Sequence, residues 1–224
     1  MVQQSLQNVL KEKKIDREVV TLITQTIVDK NDPSINDPQK FIGRRYGKTE
    51  AQSLARQFNW TIKEQEPGKW RQVVPSPMPQ FIEHGRSIQT LVDNGTIVIA
   101  SGGGGIPTFW NDDHKLEGLN AVIDKDLSAA LLGRVIKSEE LWIITDLDQV
   151  CLNFGKSNEQ PLLKITLDEA QKYFDEGHFQ EGSMGPKIRA AMYFLKHHGK
   201  KVIITSIAGV LGAINGSNGT TITK

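Results

Sequence analysis

Lysines beside glycine-rich turns, and single aspartates just past apolar runs, are the side chains of this sequence best placed to do chemistry. The stretch Gly177-His178-Phe179-Gln180-Glu181-Gly182-Ser183-Met184-Gly185-Pro186-Lys187 ends in a helix start. Pro186 suits a first helical position because it lacks the N–H that would be unpaired there. Ile188, Ala191, Met192 and Leu195 then recur at helical spacing. Lys187 in the first turn opposes the helix dipole, at a cost of about 0.3–1 kcal/mol. An anion bound beside it would remove that conflict. The local alternative is an exposed lysine with no role.

Three further places could hold a ligand, each at the carboxyl end of an apolar run, where open α/β sheets collect their ligands. Ser101-Gly102-Gly103-Gly104-Gly105 carries more glycine than a turn needs and lets backbone N–H groups approach an anion. Thr145-Asp146-Leu147-Asp148 sets two carboxylates directly after a buried run; they either hold a metal–phosphate complex or orient lysines, or simply cap a turn. Thr205-Ser206 is a weaker third case. Asp124-Lys125-Asp126 puts a lysine between two carboxylates at another helix start, and an ordinary N-cap explains it locally. There is no P-loop, no dinucleotide fingerprint, no nucleophile elbow and no metal-ligand spacing among the five histidines. Lysines, glycine loops and a few aspartates, with no obvious base or nucleophile, suit phosphoryl transfer, where positioning and charge neutralisation carry most of the catalysis.

The elements that must position these residues alternate between strands and helices. Val19 to Val28, Thr96 to Ala100, Leu141 to Thr145, Val150 to Phe154, Lys201 to Thr205 and Thr220 to Thr223 read as strands. Ser5 to Lys14, Thr49 to Phe58, Ile82 to Asn94, Asp124 to Lys137, Thr166 to Gly177, the segment after Pro186 and Ile207 to Ile214 read as helices. Thr166 with Glu169 predicts a capping box. Asp29 to Gly47 reads as a loop with turns, and Trp60 to Val74 as a small hairpin. This order predicts an α/β fold, a three-layer αβα sandwich around a mostly parallel sheet.

With 224 residues, 38% hydrophobic and 24% charged, the chain can bury one sizeable core. A net charge of +1 gives no basic excess for nucleic acid, and no apolar run has transmembrane length, so neither nucleic acid nor membrane is expected as a partner. The polar start, Met1 to Asp16, lacks a signal-peptide core, and a lone Cys151 allows no internal disulfide; the expected location is cytoplasmic.

Several stretches together resemble the carbamate kinase family of the amino-acid kinase superfamily. They are Val28-Asp29-Lys30-Asn31-Asp32-Pro33, Lys40-Phe41-Ile42-Gly43, Val73-Val74-Pro75-Ser76-Pro77, Ile99 through Pro107, Ala121 through Asp126, Thr145 through Asp148, Asn153 through Lys156, and Gly182 through Lys187. The resemblance covers the chain almost end to end, as one domain over residues 1–224 with a protruding lobe over residues 40–77. It implies reversible phosphoryl transfer between ATP and carbamate, running from ADP and carbamoyl phosphate toward ATP in arginine fermentation. It gives Lys125 and Lys187 the task of neutralising the transferring phosphoryl group and Asp146 that of orienting them. Lys40 would reach from the lobe over carbamoyl phosphate, which would sit against Ser101, Gly102, Gly103 and Gly104. Asp148, Asn153, Phe154, Gly155, Met184, Gly185 and Pro186 would build the nucleotide pocket. ATP or ADP would come with Mg2+, held mainly by nucleotide oxygens and water rather than by protein ligands. The resemblance also implies a homodimer.

Two departures accompany the match. Arg44-Arg45 follow Gly43 where the family has Pro-Phe, and arginines there can serve phosphate. The family's opening strand with its Gly-Gly-Asn-Ala loop, and a second glycine-rich loop, have no counterpart in these 224 residues. The expectation is therefore an N-terminally shortened form, catalytically weak and poorly stable by itself. A non-catalytic nucleotide-binding remnant and a kinase of another small acid are the alternatives.

Overall fold

The computed structural model describes residues 1–179 and 183–224; Gln180, Glu181 and Gly182 of the Lys187 loop lie outside the described residues. The chain opens with α1 (Val2–Glu12), β1 (Val19–Thr21) and β2 (Gln25–Val28), then a 3-10 turn at Pro33–Ile35. β3 (Lys40–Tyr46), α2 (Lys48–Phe58), β4 (Thr61–Glu66) and β5 (Lys69–Val74) follow as a compact unit. Next come β6 (Pro79–Ile82), α3 (Gly85–Asp93), β7 (Ile97–Ile99), β8 (Ile106–Trp110), β9 (Leu116–Gly118) and α4 (Lys125–Val135). The remainder is β10 (Glu140–Thr145), β11 (Val150–Leu152), β12 (Gln160–Leu162), β13 (Lys164–Thr166), α5 (Leu167–Asp175), α6 (Met184–His197), β14 (Lys201–Ser206), α7 (Val210–Ile214) and β15 (Thr220–Thr223).

The fold is α/β, and the strands that lead into the candidate sites are paired in parallel. β1 runs parallel to β7, β2 to β8, and β10 to β14 through all six residue pairs from Glu140–Lys201 to Thr145–Ser206. Antiparallel pairs sit around them: β14 with β15, β6 with β2, β8 with β9, and the β11–β12 hairpin. The main core lies between the β10-β14-β15-β13 sheet and helices α4, α5 and α6, where Ile188, Phe194, Leu195, Val202, Ile204 and Ile222 are fully buried. A smaller cluster of Ile82, Ile88 and Leu131 joins α3 and α4 to the first half of the chain.

Several expectations shift in detail. Val19 to Val28 is two short strands rather than one, broken so that Thr24 can bond the glycine loop. Lys40 to Tyr46, expected as loop, is a strand of the β3-β5-β4 sheet. Its polar residues hide the alternation that marks a strand. The apolar run Thr96 to Ala100 is a strand, β7, but only half-buried, with one edge paired to β1 and no described partner on the other. Pro186 is the third residue of α6, not the first, and Ser183 is the N-cap. The first-turn N–H groups have no helical acceptor, so proline costs nothing at that position either. The capping box at Thr166 and Glu169 is present as read.

Candidate active site

Asp124 caps α4 through Oδ1, which accepts from the N–H groups of Asp126 at 2.9 Å and Leu127 at 3.3 Å. That cap fixes the first turn, so the side chain of Asp126 stands at the helix start, 10% exposed. Asp126 Oδ2 accepts from Lys187 Nζ at 2.9 Å, and Lys125 Nζ lies 3.8 Å from the same oxygen. Lys187 enters from the first turn of α6, which packs beside α4. Two ammonium groups thus converge on one carboxylate at the adjoining N-termini of two helices, leaving a local surplus of one positive charge plus two dipole ends. Lys187 is held and 12% exposed; Lys125 is more than half exposed and free to move toward a ligand.

The carboxylate that both lysines meet is Asp126; among the described contacts neither lysine reaches Asp146. Asp146 follows β10, is exposed, and accepts from its neighbour Thr145 Oγ1 at 2.9 Å. Asp126 was in view only as half of a capping motif; the Asp-Lys-Asp spacing was the available signal. Asp124 serves both as cap and as anchor, since its Oδ2 accepts from Lys40 Nζ of β3 at 2.6 Å. Burial pushes the Asp124 carboxyl pKa up, but the bond and charge of Lys40 and the two backbone donors outweigh it and hold the pKa below the usual value. A carboxyl lowered on folding contributes stability above its unfolded pKa of about 3.9 and loses it as pH falls through the folded value. Stability attributable to this pair should be flat from pH 7 to 5 and fall only below about pH 4. Acid titration followed by intrinsic tryptophan fluorescence checks it: Lys40→Met should lose about 1–3 kcal/mol at pH 7 and show a shallower acid slope.

The glycine loop joins β7 to β8. Thr24 Oγ1 accepts from the Ser101 N–H at 2.9 Å, and Ser101 takes a left-handed φ of +62°. Gly104 is turned inward: its carbonyl accepts from Thr26 Oγ1 at 2.9 Å and Ser128 Oγ at 2.7 Å. Ser128 belongs to α4, so the loop and the Asp124-Lys125-Asp126 turn are fastened together. Gly102 and Gly103 have open space beside their Cα atoms and line a cavity of about 350 Å3 with Ser101, Thr24, Ala121 and Ile123. The Ser101 hydroxyl is buried there without a partner among the described residues. An unsatisfied buried hydroxyl fits a site that a polar ligand completes. Of the expected glycines, Gly102 and Gly103 face the cavity, while Gly104 is structural.

The expected nucleotide residues lie past β10 and at the start of α6. Asp148 Oδ1 accepts a short bond from Ser206 Oγ, which also receives the Gly209 N–H at 2.9 Å. Thr205 Oγ1, at the end of the adjoining strand, is buried without a described partner. Asn153, Phe154 and Gly155 form the tip of the β11–β12 hairpin, where Gly155 N–H donates to Glu159 Oε2 at 2.6 Å and Phe154 is 45% exposed. Met184 and Gly185 are buried in the first turn of α6 and Pro186 is half-buried. Among the described residues no three His, Cys, Asp or Glu side chains converge as a metal cluster. No helix of the described residues is long and apolar enough to cross a membrane.

Residues 37–206 match the amino acid kinase family. The chain belongs to that family. It is 43% identical over 223 residues to a carbamate kinase of Pyrococcus horikoshii, a match covering 100% of this chain and 71% of that relative. A carbamate kinase 2 of Staphylococcus epidermidis is 44% identical over 222 residues, covering 99% of this chain and 72% of the relative. Among solved structures, carbamate kinase from Giardia lamblia bound to AMP-PNP superposes with a TM-score of 0.87 at 40% identity, covering 99% of this chain and 70% of that one. The same enzyme bound to citric acid gives 0.90 at 39% identity, with 99% and 70% covered. The fold of these carbamate kinases thus covers nearly the whole chain, and the Lys125–Asp126–Lys187 cluster lies inside the family-matched segment.

Proposed function

We propose that this chain catalyses reversible phosphoryl transfer between ATP and carbamate, giving ADP and carbamoyl phosphate. The observation that carries it is the pair of lysines beside Asp126 at two helix N-termini, on a helix that Ser128 fastens to the glycine loop, in a chain 40–44% identical to carbamate kinases over nearly its whole length. The transferring group passes through a loose transition state with negative charge on its equatorial oxygens. Lys187 and Lys125 would both take that charge; Asp126 holds the Lys187 ammonium in place before substrate arrives, so that group needs no reorganisation at the moment of reaction, and the more exposed Lys125 would move in with the ligand. Backbone N–H groups of the Ser101–Gly103 segment and the Ser101 hydroxyl would hold carbamoyl phosphate, and the β3-β5-β4 unit with Lys40 would act as the lobe above it. Asp148, the β11–β12 hairpin tip and the start of α6 would take ATP or ADP. The described residues do not form a protein cage for Mg2+; the ion would arrive on the nucleotide phosphates and supply further charge neutralisation there. The reading extends to a cytoplasmic homodimer serving arginine breakdown, supported by family resemblance alone.

The test is ATP formation from ADP and carbamoyl phosphate by the purified protein, read by a luciferase assay. ATP should appear above the protein-free control and disappear in Lys187→Met. Equal rates with acetyl phosphate in place of carbamoyl phosphate would overturn the substrate assignment.

A further inference from the structure

A second, larger cavity of about 910 Å3 lies between the β3-β5-β4 unit and the outer face of α6. Its inner end meets the site above at Lys40, Asp124 and Pro186; Lys125, Asp126 and Lys187 do not line it. Its outer end is marked by Lys196 and His197 in the last turn of α6. Lys196 stands nine residues past Lys187 (196 − 187), roughly 14 Å along the helix at 1.5 Å per residue. The outer end is therefore a separate place, not a corner of the phosphoryl-transfer site.

Its chemistry is that of an anion site with an apolar floor. Leu127, Met192 and Tyr193 supply the floor. Arg71 looks onto the cavity from β5, its guanidinium donating to Gly43 O at 2.8 Å and Gln65 Oε1 at 3.2 Å and lying 5.9 Å from the Phe41 ring centroid. Lys196 Nζ donates to Gln171 Oε1 at 2.8 Å. All these partners are uncharged, and neither cation forms an ion pair with a described carboxylate. The cavity's acids are already answered: Asp124 by Lys40, and Asp32 by the N–H groups of Ser34 at 2.9 Å and Met78 at 3.0 Å. Two cations on opposite walls, each fixed by neutral groups, are preorganised for an incoming anion without first breaking an ion pair. The volume sits in the range of small-molecule sites.

We propose that this cleft is a second ligand site, taking a phosphate monoester with an apolar or aromatic body, its phosphate drawn to Arg71 and Lys196 and its body lying on Leu127, Met192 and Tyr193. Because Arg71 belongs to the β3-β5-β4 unit and Lys196 to α6, occupancy ties the unit to the helix layer, and Lys40 on β3 moves or stays with it. The proposal goes beyond the phosphoryl-transfer reading and does not depend on it.

Calorimetric titration tests it, with AMP-PNP present throughout and two arms, phenyl phosphate and inorganic phosphate. Phenyl phosphate should bind saturably, at least about tenfold tighter than inorganic phosphate. Arg71→Gln and Lys196→Gln should each weaken it at least about fivefold, while Lys187→Met leaves it unchanged; one lost charge-assisted hydrogen bond is worth roughly such a factor. Hydrogen exchange should slow in β3 and β5 on binding. Equal affinity for the two anions overturns the organic body. Phenyl phosphate curves for both variants that superimpose on the parent overturn the site, as does the absence of binding. Lys196 is exposed on a helix, so its variant folds even if Arg71→Gln disturbs β5.

Discussion

Lys187→Met should lower kcat for ATP formation by about 10³-fold while leaving the melting temperature within about 4 °C of the parent. The two effects separate because they come from different terms. Lys187 Nζ is the more sheltered ammonium of the cluster, 2.9 Å from Asp126 Oδ2, and a fixed charge at the place where negative charge develops is worth more than a neutral donor. A single lost neutral donor already costs about 10²–10³ in rate. Stability moves little because a cation in the first turn of α6 is unfavourable to the helix by about 0.3–1 kcal/mol, which partly offsets the lost ion pair. Methionine keeps the side-chain length, and Lys125 remains 3.8 Å from Asp126 to answer its charge. Asp126→Asn should lower kcat by about 10²-fold with KM less affected, because it loosens both lysines without removing either. Steady-state kinetics beside thermal denaturation check both variants; a drop in kcat matched by a collapse in melting temperature would reassign the cluster to structure.

Gly104→Ala should destabilise the fold by at least about 3 kcal/mol, whereas Gly103→Ala should stay within about 0.5 kcal/mol of the parent. A Cβ on Gly104 would stand 2.4 Å from the carbonyl oxygen of Ile123, and the residue holds a φ of +130° that alanine rarely adopts. Ile123 directly precedes Asp124-Lys125-Asp126, so any backbone shift that relieves the clash displaces both carboxylates. The Gly104 carbonyl is also the shared acceptor of Thr26 and Ser128, and moving it strands two buried hydroxyl groups. Gly103 has nothing within 4 Å of a modest added methyl group, and that open space is the cavity itself. Gly103→Ala should therefore raise KM for carbamoyl phosphate with stability intact. Urea midpoints and KM values for the two variants, measured side by side, separate the glycine that builds the loop from the glycine that faces the ligand.

The fold was legible where one physical signal dominated. Apolar runs such as Leu141 to Thr145 and Lys201 to Thr205 became the paired parallel strands β10 and β14, and Thr166 with Glu169 became a capping box. β3 was missed because Pro33, Pro38 and Gly43 punctuate its surroundings and Arg44 and Arg45 interrupt its apolar residues; pairing with β5 decides it, and that partner lies about 30 residues away. The site was legible as residue types and helix starts, not as partners. Lys187 and Lys125 were singled out by their turns, yet the group that joins them is Asp126, 61 positions from Lys187. Its motif already had a sufficient local explanation as a cap, which Asp124 does supply. The Thr145-Asp146 strand end was open on local grounds and took the orienting role from the resemblance; here Asp146 accepts a hydrogen bond from Thr145 and neither lysine contacts it among the described contacts. Short-range rules name which groups can do chemistry, and only packing of α4 against α6 says which of them meet.

Phosphorus NMR of the protein with ADP and carbamoyl phosphate tests the central claim most directly, because it follows the transferring group itself. The γ-phosphate signal of ATP should grow at the rate at which the carbamoyl phosphate signal falls beyond its spontaneous decay, and that growth should vanish in the Lys125→Met, Lys187→Met double variant. Carbamoyl phosphate lost only to inorganic phosphate, or ATP formed equally well by the double variant, would contradict phosphoryl transfer at the Lys125–Asp126–Lys187 cluster.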